Sequence, residues 1–297
     1  MSSEFIPLRD GEPIGVVALS GPVAADKLEA GLKVMRSWGH PIVEASNLCR
    51  REPYLAGSDA ERLAGLEEVM ASGVRWIVAA RGGYGCTRLL PSLPLETLRR
   101  RGVCLVGYSD LTALINPLAR GGGPVQVHGP MVAADLARPS NAARLHALLG
   151  GALVSGELFR FSERSVGRHG RVSGPALGGN LSLLCSLLGT EWEPDLEGSV
   201  LFLEEVGEPL YRLDRMLTHL RASATLHKVK ALIGGSLRGC RPAAGRAGQW
   251  RRLLLEAAPE GAPVVTGLPF GHGADNRAFP IGAVVELDTR RGRVTWR

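Results

Sequence analysis

The chain lacks any run of about 18 apolar residues, the length needed to cross a bilayer as a helix, so no segment reads as a membrane span. Its start, from Met1 to Gly11, lacks an apolar stretch preceded by positive charge, and no signal peptide is expected. Cysteine is scarce: Cys49, Cys86, Cys104, Cys185 and Cys240 are odd in number and include no close pair. That excludes a disulfide framework and a cysteine zinc site, and it suits a reducing compartment, so the protein is expected in the cytoplasm. The formal charge of +6 arises mainly from dispersed arginines, with Arg99-Arg100-Arg101 the one three-residue cluster. No interleaving of basic and aromatic residues accompanies it, so a solvated basic surface is expected and a nucleic-acid partner is not. Such a surface still attracts small acidic substrates. There is no internal repeat, no low-complexity tract and no G-x-G-x-x-G spacing for a dinucleotide.

What the chain does contain is enough apolar sequence for two cores. At 297 residues, 45% hydrophobic and 22% charged, it reads as a globular protein of two ordinary domains. Ile14 to Leu19, Pro41 to Val43, Val74 to Ala80 and Val103 to Val106 are short β-rich runs. Helical patterns separate them, one from Ala24 to Trp38 and one through Met70 that opens on a Ser58/Glu61 capping box. This alternation predicts parallel βαβ units, whose working loops lie at the carboxyl ends of the strands. The stretch from Gly156 to Gly174 is rich in Arg, Ser and Gly without an apolar period and reads as a crossing linker. Beyond it the alternation resumes. Helices are expected over Asn180 to Leu188, Leu210 to Leu220 and Gln249 to Ala258, and strands over Val200 to Leu203, Val229 to Ile233 and Val264 to Thr266. A hairpin should close the chain from Ala283 to Trp296. The expected layout is an α/β domain over 1–155, a linker over 156–173 and a second α/β domain over 174–297.

Three polar runs follow apolar strands and offer complementary chemistry. In Gly107-Tyr108-Ser109-Asp110 a serine stands between a strand and a helix, like the nucleophile of a strand-to-helix elbow, although Leu111 occupies the place of the second glycine. An ordinary helix N-cap at Ser109 or Asp110 is the competing reading. The loop Arg81-Gly82-Gly83-Tyr84-Gly85 could turn backbone N–H groups toward an oxyanion, with the Gly83 and Asp110 amides a suitable pair. Glu204 ends an apolar strand, and Glu205 would point to the opposite face. His128 and His272 both follow β-rich runs, and spacing does not separate them; a buried loop histidine bonded to backbone is the ordinary reading for His128. The five others, His40, His146, His169, His219 and His227, lie on helical or linker segments and read as surface residues.

These runs resemble the LD-carboxypeptidase family of serine peptidases, which also contains the microcin C immunity peptidases. The matching stretches are Arg81-Gly-Gly-Tyr-Gly85 with Arg88-Leu-Leu-Pro91, Gly107-Tyr-Ser-Asp-Leu-Thr112, His128-Gly-Pro-Met131 and Gly178-Gly-Asn-Leu181. Leu201-Phe-Leu-Glu-Glu205, Tyr211, Asp214-Arg-Met-Leu217 and Thr266-Gly-Leu-Pro-Phe-Gly-His272 complete the set, so nearly the whole chain is covered in family order. The resemblance implies a metal-free, cofactor-free triad of Ser109, His272 and Glu204, with an oxyanion hole from the amides of Gly83 and Asp110. It also implies an N-terminal parallel α/β domain carrying the serine, a smaller C-terminal α/β domain carrying Glu and His, a cleft between them as the site, and a homodimer.

The implied substrate is a cytoplasmic murein tetrapeptide that loses its terminal D-alanine. An arginine fork suits a terminal carboxylate, which makes Arg88 and Arg215 candidates, with Tyr84 beside them in the glycine loop. Two alternatives stand: an immunity-type peptidase acting on peptidyl or aminoacyl nucleotide conjugates, for which Trp192 could supply a base platform, and a non-catalytic protein that binds ligand in the cleft.

Overall fold

A computed structural model describes residues 4–297 except 224 and 243. The first half builds β1 (Ile14–Val17), α1 (Ala25–Arg36), β2 (Ile42–Glu44), α2 (Asp59–Ala71) and β3 (Trp76–Ala79). Then follow α3 (Cys86–Leu89), α4 (Leu95–Arg100), β4 (Cys104–Val106), α5 (Thr112–Ala119), β5 (Gln126–His128) and α6 (Pro139–Leu149). The strands are short and apolar because helices cover both faces of the sheet; every residue of β1, β3 and β4 is buried. The expected capping box is present: Ser58 Oγ accepts from the Glu61 amide while the Glu61 carboxylate accepts from the Ser58 amide.

The second half contains β6 (Glu157–Arg160), β7 (Val166–Arg168), β8 (Arg171–Asn180), α7 (Leu181–Leu187), β9 (Val200–Val206) and α8 (Leu210–Ala222). It continues with β10 (Ala231–Arg238), α9 (Arg246–Ala257), β11 (Val264–Thr266), β12 (Phe279–Ile281), β13 (Val284–Asp288) and β14 (Arg293–Trp296). Two sheets result, six strands ordered β12-β5-β4-β3-β1-β2 and eight ordered β6-β14-β13-β8-β9-β10-β11-β7. β1 to β5 pair in parallel in the first sheet, and β8 to β11 do so in the second. The terminal hairpin forms as expected, with Val285 opposite Trp296.

Two features differ from the sequence reading. The segment from Gly156 to Gly174 is no linker: β6 and β7 are edge strands of the second sheet, and Arg171 to Gly174 begin β8. Edge strands carry polar residues on their open side, and tertiary partners rather than local periodicity decide their pairing. The second difference is β12, which leaves the C-terminal half and pairs antiparallel with β5 in the first sheet, Phe279 opposite His128. Phe159, Phe202, Phe270 and Phe279 pack ring against ring where the sheets meet, with centroids 4.4–6.2 Å apart. This crossing holds the loop before β12, which carries His272, against the loop after β4, which carries Ser109.

Candidate active site

Ser109 sits where β4 gives way to a single 3₁₀ turn over Ser109–Leu111 ahead of α5. Its φ is +62°, a left-handed value that costs a non-glycine residue about 1–3 kcal/mol. The turn is braced from beneath. Asp110 is 1% exposed, and its Oδ2 accepts from Ser20 Oγ at 2.6 Å and from the Cys86 amide at 2.9 Å. Those contacts tie the serine turn to the loop after β1 and to the start of α3. The competing N-cap role is not observed, since neither the 3₁₀ turn nor α5 has a side-chain cap.

The glycine loop after β3 lies directly over the serine. A Cβ added to Gly82 would stand 3.1 Å from Ser109 Cβ and 3.3 Å from its Oγ, so only glycine fits there without displacing the hydroxyl. Gly83 has φ +130°, a conformation that favours glycine. Its N–H donates to no acceptor among the described residues. Asp110 is second in its turn, so its N–H has no partner within that turn.

The other two groups come from the second sheet. β9 runs on past Leu203, which places the fully buried Glu204 beside the 267–278 loop and turns Glu205 to the other face. His272 Nδ1 lies 2.6 Å from Glu204 Oε2, and the His272 amide donates to the same oxygen at 3.2 Å. His272 Nε2 lies 3.1 Å from Ser109 Oγ. A Cβ at Gly271, where φ is +87°, would run into the Glu204 carboxylate. The histidine loop is fixed by Asn276, whose Oδ1 accepts from the Gly271 amide at 2.9 Å and whose Nδ2 donates to Asp135 Oδ2 at 2.8 Å. The Asn276 amide also donates to Asn141 Oδ1 at 3.1 Å. Burial raises the Asp135 carboxyl against the hydrogen bonds from Asn276 and Met131.

Glu205 has a separate task. It accepts from Asn180 Nδ2, the Ser182 amide and the Val206 amide at 2.8–2.9 Å, joining β9 to the start of α7, and burial raises its carboxyl. Asn116, on α5, bonds both the N–H and the C=O of Gly178 at 2.9 Å, and Thr112 Oγ1 accepts from the Asn180 amide at 3.0 Å. Ser20, Asn116, Asp135 and Asn276 were not singled out from sequence. Each acts through a partner tens of residues away, and no local pattern marks such a partner.

His128 closes β5 and is fully buried, with its ring stacked on Phe279 at 4.8 Å. Neither of its ring nitrogens meets a hydrogen-bond partner in another described residue. Burial pushes its pKa down to about 4, so the ring is neutral near pH 7. Tyr108 packs edge-on to His272 at 4.9 Å, and burial raises its phenol. Of the other histidines, His169, His219 and His227 are exposed, while His40 and His146 are half-buried.

Of the three substrate-binding candidates, Arg88 is engaged by both carboxylate oxygens of Asp59 at 2.8–3.1 Å. Arg215 lies on α8 with its guanidinium 5.7 Å above the exposed Tyr211 ring. Tyr84 is half exposed beside Tyr54. Trp192 is distant from the serine: with Arg75, Gly102 and Pro124 it lines a cavity of about 920 Å³ at the amino ends of β3, β4 and β5, whereas Ser109 follows the carboxyl end of β4. No group of three or more potential metal ligands occurs among the described residues.

A serine hydroxyl bonded to an imidazole whose other nitrogen meets a buried carboxylate, at the carboxyl ends of parallel strands, defines a serine hydrolase. The chain belongs to the LD-carboxypeptidase family: residues 14–129 match the family's N-terminal domain and residues 173–287 its C-terminal domain. It is a serine carboxypeptidase of that family. The murein tetrapeptide carboxypeptidase of Pseudomonas aeruginosa is 33% identical over 94% of this chain and 94% of its own. The crystal structure of muramoyltetrapeptide carboxypeptidase from Oxalobacter formigenes superposes with a TM-score of 0.82 at 30% identity, covering 96% of this chain and 97% of that one. The microcin C7 self-immunity protein MccF of Escherichia coli is 24% identical over 95% of this chain and 92% of its own. A structure of MccF with glutamyl sulfamoyl guanosine shares the fold at TM-score 0.85 and 20% identity, over 98% of this chain and 97% of that one.

Proposed function

We propose that the chain releases the terminal D-alanine of murein tetrapeptides through an acyl-enzyme formed on Ser109. The observation that carries this reading is the continuous chain of contacts Ser109 Oγ to His272 Nε2, 3.1 Å, and His272 Nδ1 to Glu204 Oε2, 2.6 Å. A free serine hydroxyl is a weak nucleophile, and an imidazole within hydrogen-bond reach removes its proton as it attacks. In the proposed sequence Ser109 Oγ attacks the carbonyl before the terminal residue while His272 Nε2 takes the hydroxyl proton. Glu204 holds the Nδ1–H tautomer and stabilises the imidazolium that forms. The amides of Gly83 and Asp110 receive the oxyanion, and preorganised donors of this kind contribute about 3–4 kcal/mol each to lowering the barrier. His272 then protonates the departing amine, the C–N bond breaks, and a water activated by the same ring hydrolyses the ester.

The murein substrate is supported by the names of relatives at 30% and 33% identity that span nearly the whole chain. A nucleotide conjugate would call for a base platform near the serine, and Trp192 is at the other end of the strands. The reading includes a cytoplasmic role in peptidoglycan recycling and a homodimer, for which light scattering should give twice the chain mass. Incubation with a murein tetrapeptide should release one D-alanine per molecule, detected by mass spectrometry, and Ser109→Ala should abolish the release. Turnover of an aminoacyl sulfamoyl adenylate in place of the tetrapeptide would overturn the substrate, and unchanged turnover by Ser109→Ala would overturn the mechanism.

A further inference from the structure

A second cavity, of about 500 Å³, opens at the carboxyl ends of β10 and β11, on the rim that carries His272. Four arginines line it, Arg164, Arg238, Arg246 and Arg251, and no Asp or Glu does so among the described residues. Two of the four are partly committed: Arg246 donates to the Cys240 carbonyl at 2.8 Å, and Arg251 donates to Thr266 Oγ1 at 3.4 Å and to the Arg164 carbonyl. The guanidinium groups of Arg164 and Arg238 have no hydrogen bond or ion pair among the described residues. Uncompensated like charges around one concavity raise the local concentration of anions and favour a bound carboxylate.

Trp250, 2% exposed, and Ser236 also line the cavity, with the indole Nε1 and Ser236 Oγ enclosed by protein. The first turn of α9 also faces the cavity, and its N-cap Gly245 supplies no side chain to satisfy the amides there. A helix start of this kind favours negative charge.

The cavity lies beside the histidine loop, although none of Ser109, Glu204 and His272 lines it. Gly273 lines it and follows His272 in the chain, and a Cβ at Gly273 would lie 3.4 Å from Ser236 Cβ. The Ser236 amide donates to the Phe270 carbonyl at 3.1 Å. The charge on Arg238 is felt at Tyr108, whose ring packs on His272. A single released amino acid needs far less room than this cavity offers, whereas several residues on the acyl side of the cut bond fit a cleft of this size.

We propose that this cavity binds the acyl portion of a peptide substrate through its free carboxylates, with Arg238 as the principal contact and Arg164 as a supporting donor. The inference rests on the serine carboxypeptidase reading above and assigns the specificity of that same site. Two peptides of one sequence test it, both ending in a free D-alanine carboxylate, one with acidic side chains on the acyl side and one with those groups amidated. The wild-type enzyme should prefer the acidic peptide in kcat/KM by about tenfold to a hundredfold, mainly through KM. In Arg238→Gln that ratio should fall toward one; a ratio that stays at the wild-type value, or a wild-type enzyme indifferent to amidation, overturns the proposal. A binding arm does not depend on turnover: calorimetry of the acidic peptide with Ser109→Ala and with Ser109→Ala/Arg238→Gln. At least tenfold weaker binding in the double variant supports the site, and equal affinity overturns it. Absence of turnover with both peptides, alongside an Arg238-dependent affinity, would instead defeat the catalytic reading and leave the subsite standing.

Discussion

Replacing Asp110 by alanine should cost both stability and rate, because this carboxylate braces the turn that presents Ser109. Its Oδ2 accepts from the Ser20 hydroxyl and from the Cys86 amide inside a site that is 1% exposed. Hydrogen bonds to a charged acceptor contribute about 1.5–3 kcal/mol each. The Ser20 hydroxyl can recover part of its loss by turning to Cys86 Sγ, 3.1 Å away, so the net loss should be about 3 kcal/mol rather than the full sum. For a chain of 297 residues that corresponds to a fall in Tm of about 5 °C. The braced turn also holds Ser109 at φ +62°; once released it can relax, and kcat/KM for D-alanine release should drop at least about tenfold, equivalent to 1.4 kcal/mol. Calorimetric melting and steady-state kinetics on the same preparation measure both. A variant that melts within 2 °C or so of wild type, well below the expected shift, or that keeps its full kcat/KM, would refute the argument that this carboxylate sustains the nucleophile's geometry.

Other perturbations separate the remaining roles. Gly82→Ala puts a methyl 3.3 Å from Ser109 Oγ and should lower kcat by about tenfold or more while far-UV circular dichroism is retained; full activity would show that the hydroxyl has room to spare. Asn276→Ala removes the bonds to Gly271 and Asp135 and should cost about 2–4 kcal/mol in urea denaturation with a concurrent fall in kcat. Glu204→Gln should lower kcat by about 10³–10⁴ with little change in KM, measured in single-turnover and steady-state assays. The buried His128, with its pKa pushed down to about 4, binds fewer protons folded than unfolded, where its value is about 6.5. Its neutral state therefore leaves stability untouched above pH 6.5 or so and destabilises the fold progressively from there toward pH 4, by about 3 kcal/mol. Urea melts of wild type and His128→Phe across this range should differ in slope with that sign; the subtraction cancels Asp135 and Glu205, whose raised values act in the opposite direction.

Most parallel strands of both sheets were legible because apolar runs such as Ile14 to Val17 and Val200 to Leu203 are buried on both faces and end in glycine or polar residues; β8 was not, because its Arg, Ser, Gly and Pro residues break the apolar run and its first part read as linker. The position of Ser109 at a strand end was legible for the same reason, while the choice of His272 over His128 needed the resemblance to relatives. What sequence left unread was non-local. β6 and β7 are edge strands whose pairing depends on β14 and β11, and β12 joins the opposite sheet, so no local period announces any of them. β10 continues through Gly234 and Gly235 to Arg238, where glycines imitate a strand end. They are glycine because Trp250 and Phe270 pack against the backbone there. Arg238 consequently went unnoticed, and Arg88, selected for its motif, turned out to be held by Asp59.

The central claim, that Ser109 is a nucleophile activated by His272, is tested most directly by intact-protein and peptide mass spectrometry after treatment with a fluorophosphonate. The account predicts one adduct per chain, located on Ser109, abolished in Ser109→Ala and slowed by orders of magnitude in His272→Ala. An enzyme that releases D-alanine yet takes no adduct on Ser109, or is labelled equally fast without His272, would contradict it.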